Sequence, residues 1–185
     1  MRILGIDPGL TRCGIGVIDV NKQRKCALVH VGVAKSESKN ELQDRIGQIA
    51  ELIEAAILEH KPQQIALERV FAQANLRTVM GVAQISGVVL LLAHKHAIPL
   101  HFYTPSEVKA AVTGSGRAAK EQVGTMVAKI LGLTEVPKPA DAADALAIAI
   151  TSAWKSYAVT SDRPATKASE TWQQAIAAAA NRKRS

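Results

Sequence analysis

Aromatic side chains are scarce in this sequence: two Phe, two Tyr and two Trp residues make up 3% of 185 residues, whereas 48% are apolar. An apolar content this high excludes a disordered chain and predicts one globular domain with a core of Ile, Leu, Val and Ala. Cys13 and Cys26 form no CxxC pair, and no secretory leader precedes the first apolar run. The expected location is therefore the reducing cytoplasm.

Long hydrophobic runs are also missing. The longest apolar stretch, residues 79–93, is interrupted by Gln84 and Ser86. It is shorter than the roughly 20 apolar residues that a membrane-spanning helix needs. We therefore expect a soluble protein with no membrane partner.

Acidic residues are outnumbered by basic ones, 16 against 23, which gives a net charge of +7. The excess is uneven, because 6 basic and only 2 acidic residues fall within residues 155–185. Basic proteins commonly bind anionic partners, and nucleic acid is the most frequent of these. We interpret residues 1–156 as the folded domain and residues 157–185 as a basic, flexible C-terminal tail.

Apolar runs and helical periodicity predict an α/β fold with a mixed five-stranded sheet and helices on both faces. The predicted strands are residues 2–7, 13–20, 26–34, 64–68 and 98–104. The predicted helices are residues 40–60 (with Asn40 as N-cap), 75–96, 106–112, 118–131 and 139–155 (with Pro139 in the first turn). The helix between the third and fourth strands lets the fourth lie parallel to the first. Asp7 and Glu68, which end those two strands, then lie at the same edge of the sheet.

Asp141 and Asp144 lie three positions apart on the last predicted helix. Neighbours at i and i+3 face the same way, so these carboxylates repel each other by a few tenths of a kcal/mol. An ordinary explanation is the preference of acids for a helix N-terminus. Together with Asp7 and Glu68, however, they predict a site for hard cations, Mg²⁺ or Mn²⁺, and a two-metal hydrolysis of phosphodiesters.

Three segments carry a resemblance to a known family. "GIDPG" around Asp7, "ALERVFAQAN" around Glu68 and "PADAADALAIAIT" around Asp141 and Asp144 resemble the signature segments of the RuvC family of Holliday junction resolvases. Their order and spacing agree over residues 1–154. The resemblance implies a ribonuclease H-like fold in which these four acids form a catalytic tetrad that binds Mg²⁺, with two ions per site and Mn²⁺ as a substitute.

The same resemblance implies the activity and the partners. It implies an endodeoxyribonuclease that acts as a homodimer in DNA recombination and repair. Symmetric nicks across a four-way junction would leave 5′-phosphate and 3′-hydroxyl ends. The RuvA and RuvB branch-migration proteins are the implied partners. The candidate dimer interface is the helix at 75–96, where Gly81 and Gly87 would allow close approach, although burial within one subunit explains its apolar surface equally well.

The resemblance also implies DNA contacts, which it supports less strongly than it supports the tetrad. The candidates are Phe71, Asn75, Arg77, Lys109, Arg117 and Lys120. Phe71 would stack on bases near the junction centre, unless it is an ordinary core residue. Arg117 lies in "GSGRAAK" before a helix, where backbone N–H groups can also meet phosphate. Solvated surface charge is the alternative for Lys109, Arg117 and Lys120.

Two other functions remain open from the sequence. "GIDPGLTRCGIGV" also resembles the first phosphate loop of actin-like ATPases and sugar kinases, although those proteins need two such domains. A noncatalytic module that binds branched DNA is the second alternative, but such a module has no need for four converging acids.

Overall fold

The five apolar runs form one sheet in a computed structural model, which describes residues 1–69 and 76–155, without the side chains of Leu76 and Arg77. The strands are β1 (Arg2–Asp7), β2 (Arg12–Val20), β3 (Cys26–Lys35), β4 (Gln64–Glu68) and β5 (Leu100–Tyr103). The helices are α1 (Leu42–His60), α2 (Leu76–Lys95), α3 (Pro105–Thr113), α4 (Lys120–Leu131) and α5 (Ala140–Lys155).

The sheet has the order β3-β2-β1-β4-β5. β1, β2 and β3 are antiparallel neighbours, whereas β1 pairs in parallel with β4, and β4 in parallel with β5. This confirms the expected mixed sheet and the parallel placement of the fourth strand beside the first. Because Ile6 pairs with Leu67, Asp7 and Glu68 end their strands side by side.

Helices cover both faces of the sheet, as expected. Side chains alternate between the faces along β1, so Ile3 belongs to one core cluster and Leu4 and Ile6 to the other. The first cluster includes residues of α3, α4 and α5, and the second includes residues of α1 and α2. The end of β1 therefore lies between two separate helical layers.

Helix α5 lies unusually close to the sheet because glycines face it. A Cβ atom at Gly5 or Gly14 would overlap the backbone of α5, at the carbonyl oxygens of Ala145 and Asp141 respectively. Alanine is frequent on the buried side of α5 for the same reason, since only small side chains fit at this separation. The close approach brings the first turns of α5 to the end of β1.

Several predicted boundaries differ from the structure by one or two residues, and three of these differences concern helix starts. Asn40 is not the N-cap of α1: Glu41 occupies that position without a side-chain cap bond, while Asn40 N–H donates to the Glu37 carbonyl in a preceding turn. Thr104 does not extend β5 but caps α3, in a reciprocal capping box with Glu107. Pro139 precedes α5 by one residue instead of lying in its first turn.

Helix α2 spans 20 residues, two fewer than the predicted helix at 75–96, but its apolar part extends beyond the stretch 79–93. The 18-residue window Thr78–Lys95 has a mean hydropathy of 1.4, so its length and composition reach the range of a membrane span. Core helices of globular proteins pass the same test, and α2 packs one side into the core through Ile85, Val89 and Leu92. Only 33% of the window is buried, which leaves an apolar outer surface on this helix.

The predicted tail, residues 157–185, lies outside the described residues. The division of the chain at residue 156 therefore stays a prediction.

Candidate active site

A cavity of about 320 Å³ opens at the edge of the sheet where β1 and β4 end. Asp7 and Glu68 line it from the strands, and Asp144 lines it from α5. Lys109 on α3 and Lys120 on α4 add two cations, and the remaining wall is apolar. The topology thus gathers three acids and two lysines from five different elements in one place.

The two acids at the strand ends, Asp7 and Glu68, have pKa values above the ordinary range of such carboxyl groups. Burial, followed by the charges of Glu68, Asp144 and Asp141 in that order of effect, raises the pKa of Asp7 to about 8. Burial also raises the pKa of Glu68, with Asp144 as the next cause. Lys120 acts in the opposite direction on both acids. The site therefore favours the binding of positive charge, whether from protons or from cations.

Asp144 is held by a lysine. Lys120 Nζ donates a hydrogen bond to Asp144 Oδ2 at 2.7 Å, and this bond is the main cause of the raised Lys120 pKa. Lys120 is the first residue of α4, and Asp144 lies one turn into α5. The contact therefore joins two helices of the same layer at the cavity.

Asp141 contacts a cation other than Lys120. Its Oδ2 atom is in ion-pair contact with the guanidinium of Arg12, at the start of β2. The same oxygen is buried and accepts no hydrogen bond, so the contact lacks hydrogen-bond geometry. Asp141 is not among the residues that line the cavity. A buried carboxylate oxygen without a hydrogen bond is costly and has capacity for a further ligand.

The chemistry of these donors fits a hard divalent cation, because the four carboxylates offer only oxygen ligands and three of them raise the pKa of Asp7. Their present arrangement is less complete than the sequence analysis expected. Within residues 1–69 and 76–155, no group of three or more His, Cys, Asp or Glu side chains is placed to hold a metal ion. Two of the four carboxylates are instead engaged by Arg12 and Lys120.

The predicted DNA contacts fall into three groups. Lys109 and Lys120 line the cavity, whereas Arg117 is exposed in the loop between α3 and α4 and does not line it. Phe71 and Asn75 lie outside the described residues. Arg77 lies in the first turn of α2, but its side chain is not described.

Sequence reasoning missed Arg12 and the close-approach glycines. The hairpin register pairs Asp7 with Gly14, which places Arg12 just beyond the end of β1. Gly14 and Gly16 alternate on β2 and both face α5. Two glycines at i and i+2 inside an apolar strand are a signal of close backbone approach that the sequence does contain.

Comparison with known proteins identifies one family. A family model described as "Crossover junction endodeoxyribonuclease RuvC" matches residues 3–152. A protein of that name from Saccharopolyspora erythraea is 57% identical over 155 residues, covering 84% of this chain and 78% of that protein. Another, from Parafrankia sp., is 51% identical over 168 residues, covering 91% of this chain and 94% of that protein.

Solved structures agree with the sequence comparisons. Thermus thermophilus RuvC, in complex with a Holliday junction substrate, has a TM-score of 0.80 and 38% identity, covering 84% of this chain and 94% of that one. The yeast mitochondrial Holliday junction resolvase Ydc2 has a TM-score of 0.59 at 14% identity, covering 82% of this chain and 78% of that one. The second likeness concerns the fold alone.

Proposed function

The chain belongs to the RuvC family of crossover junction endodeoxyribonucleases, and on that premise we propose that it resolves Holliday junctions by hydrolysing phosphodiester bonds. The observation that carries the proposal is the cavity in which Asp7, Glu68 and Asp144 lie beside Lys109 and Lys120. Acids suit the binding of cations, and lysines suit the phosphates of the substrate. The tetrad proposed for catalysis is Asp7, Glu68, Asp141 and Asp144.

Nucleases of this family depend in general on divalent metal ions. For this chain the ion is proposed to be Mg²⁺, with Mn²⁺ as a substitute and two ions held by the four acids. The chemistry that bound ions supply is activation of the attacking water and stabilisation of charge on the leaving 3′ oxygen. Cation binding competes with the ion pairs to Arg12 and Lys120, because each already neutralises one carboxylate.

The protein's own side chains position the reaction. Asp7 and Glu68 have little freedom because each follows a buried strand that is paired in the sheet. Lys120 fixes the orientation of Asp144 through its hydrogen bond. Lys109, which also lines the cavity, is proposed to neutralise a phosphate of the strand that is cut. Water attack opposite the 3′ oxygen would leave 5′-phosphate and 3′-hydroxyl ends.

Symmetric nicks across the junction require two active sites, and a homodimer is the simplest arrangement that supplies them. The outer side of α2 supports it as the interface, since Met80, Leu90 and Leu91 are exposed there. Gly87 has open space around it, as an interface glycine would. Gly81 has a different role from the one expected, because it is buried against Leu10 of the same chain.

The cytoplasm is the proposed location of the protein. Both cysteines are free, which suits a reducing cytoplasm. RuvA and RuvB are the proposed branch-migration partners, and recombination and DNA repair are the proposed processes.

The two alternatives are less favoured. An ATP-binding domain would use the turn after Asp7 to hold phosphates, but the family comparisons point to resolvases. A noncatalytic DNA-binding module would have no use for a buried acid whose pKa three other carboxylates raise.

A synthetic mobile four-way junction with each strand labelled in turn tests the proposal. With Mg²⁺ or Mn²⁺ we expect paired nicks at symmetric positions on opposing strands, and ligase should reseal them because the ends are 5′-phosphate and 3′-hydroxyl. A linear duplex of the same sequence is the control and should stay intact. Junction binding without a nick under any divalent ion would favour the noncatalytic module. Tight ATP binding without cleavage would favour the ATP-binding domain.

A further inference from the structure

A second cavity, of about 380 Å³, lies on the α1 and α2 side of the same sheet edge. Its polar wall consists of Thr11, Arg12, Arg45 and Thr78, and Gly9 contributes backbone. None of the described residues that line it is acidic. A concave surface with two arginines, two hydroxyls and no carboxylate attracts an anion.

Arg45 is the residue that gives this cavity its charge. Its Nε atom donates to Ser36 Oγ at 3.2 Å, and Nη2 donates to Thr11 Oγ1 at 2.7 Å. These bonds fix the guanidinium without neutralising it. In the part of the chain that the structure describes, no carboxylate forms an ion pair with Arg45, whereas Arg12 and Lys120 each have one. An oriented guanidinium without an acid partner is suited to a phosphate oxygen.

The second cavity adjoins the acidic centre. Gly9 follows Asp7 by two residues, and Arg12 lines this cavity while it contacts Asp141. The cavity with Lys109 and Lys120 lies on the other side of the β1 end, in the α3–α5 layer. The acids therefore have cationic side chains on both flanks. A DNA strand repeats its phosphates at regular spacing, so a strand centred on the acids presents further phosphates to both sides.

We propose that the cavity formed by Thr11, Arg12, Arg45 and Thr78 is a phosphodiester subsite, which holds the junction strand beside the phosphate that is cut. The ligand is a DNA backbone phosphate, bound without regard to base sequence. This inference rests on the proposed function, and it assigns DNA contact to Arg12 and Arg45, neither of which is among the predicted DNA contacts.

The test places a negative charge at the mouth of the subsite. Thr78 is exposed on α2, so the variant Thr78→Glu should fold normally and repel phosphate. The control variant is Thr125→Glu, which makes the same change at an exposed threonine of α4 outside both cavities. Binding to a fluorescent four-way junction is measured by anisotropy in EDTA at several salt concentrations. We expect Thr78→Glu to bind about tenfold more weakly, and the slope of log K against log salt to fall by about 0.9 for one lost phosphate contact. Thr125→Glu should stay within about twofold of the unaltered protein.

A second variant, Arg45→Gln, removes the charge itself and should weaken binding in the same direction. Because Arg45 also anchors Ser36 and Thr11, its circular dichroism and thermal midpoint are measured alongside. Light scattering on every variant separates loss of a phosphate contact from loss of assembly, because only the former leaves the molecular mass unchanged.

The outcomes separate this inference from the proposed function. If Thr78→Glu and Arg45→Gln bind like Thr125→Glu while the unaltered protein nicks junctions, the subsite is overturned and the nuclease stands. If both variants bind weakly but the unaltered protein never nicks, the subsite stands and the proposed function falls. A protein that binds no DNA overturns both.

Discussion

Lys120 Nζ lies 2.7 Å from Asp144 Oδ2, so a lysine already neutralises one of the acids at the candidate active site. Its charge also lowers the pKa of Asp7 and of Glu68, against the larger effect of burial. Lys120 therefore limits the net negative charge of the cavity. The same property makes it a competitor for any divalent cation that these carboxylates bind.

Replacing Lys120 by Gln should strengthen cation binding while it reduces nicking. Removal of one positive charge within a few ångströms of the acids should lower the Kd for Mg²⁺ by about threefold to tenfold. Calorimetric titration of Mg²⁺ without DNA measures this directly. Lys129→Gln, an exposed position on the same helix, is the matched control and should leave the Kd unchanged. Weaker Mg²⁺ binding by Lys120→Gln would contradict the competition.

Asp7→Asn should separate cleavage from binding. The amide keeps the shape of the side chain but removes a ligand charge, and loss of cation stabilisation worth several kcal/mol slows nicking by about a thousandfold or more. Junction affinity in EDTA should stay within about twofold, because the cationic contacts lie on Lys109, Lys120 and Arg45. Asp44→Asn, an exposed aspartate of α1, serves as the control. Normal turnover by Asp7→Asn would count decisively against the tetrad.

The stability of the protein in a chelator should depend on pH through Asp7. Its pKa is about 8 in the folded chain and near the ordinary value of 3.8 when unfolded, so the folded state retains a proton that the unfolded state releases. The stabilisation is fully present below pH 3.8 and is lost as the pH rises to about 8. Between pH 4 and pH 8, the free energy of unfolding of the unaltered protein should fall by on the order of a few kcal/mol relative to that of Asp7→Asn.

Urea denaturation of both proteins in EDTA at several pH values gives this difference. Parallel stability curves for the two proteins would show that Asp7 does not titrate in this range. Addition of Mg²⁺ at pH 8 should restore stability to the unaltered protein more than to Asp7→Asn, because a bound cation replaces the proton.

Most of the fold and the acid pair at the strand ends could be predicted from the sequence. Apolar runs of strand length, closed by Asp7 and Glu68, indicate buried strands, and the intervening helix leaves few topologies in which they are not neighbours. The capping box that ends β5 at Thr104 was also present in the sequence, as a Thr followed three residues later by Glu107. Apolar runs and capping boxes each lie within a short stretch of sequence and act through the local backbone, so they can be recognised from the sequence.

The ion pairs were not predictable in the same way. Arg12 meets Asp141 across 129 positions of sequence, and Lys120 meets Asp144 only because α4 and α5 share one layer. Which cation reaches which carboxylate depends on packing between segments that are remote in the chain, and periodicity contains no information about it. The sequence therefore indicates that the acids converge, but not which cationic side chains accompany them.

Leu91→Asp should disrupt the proposed homodimer. Leu91 is 64% exposed on the outer side of α2, and a charge buried there in an interface would lose its hydration without gaining a partner. Light scattering should show a shift from dimer to monomer, and paired nicking should fall with it. Leu58→Asp on α1, at 59% exposure, introduces the same charge and should leave the mass unchanged. An undisturbed dimer in Leu91→Asp would place the interface elsewhere.

Gly14→Ala should impair the active site from a position that carries no functional group. The added methyl would overlap the Asp141 carbonyl, so α5 must shift away from the sheet and carry Asp141 and Asp144 with it. Such overpacking costs about 1–3 kcal/mol in the free energy of unfolding, which urea denaturation measures. Nicking should fall at temperatures where the variant is fully folded, since displaced carboxylates no longer match the strand acids. Gly47→Ala is the control, because a Cβ at Gly47 on α1 meets nothing within 4 Å and alanine is the better helix former. Full nicking by folded Gly14→Ala would mean that the placement of α5 does not determine the geometry of the site.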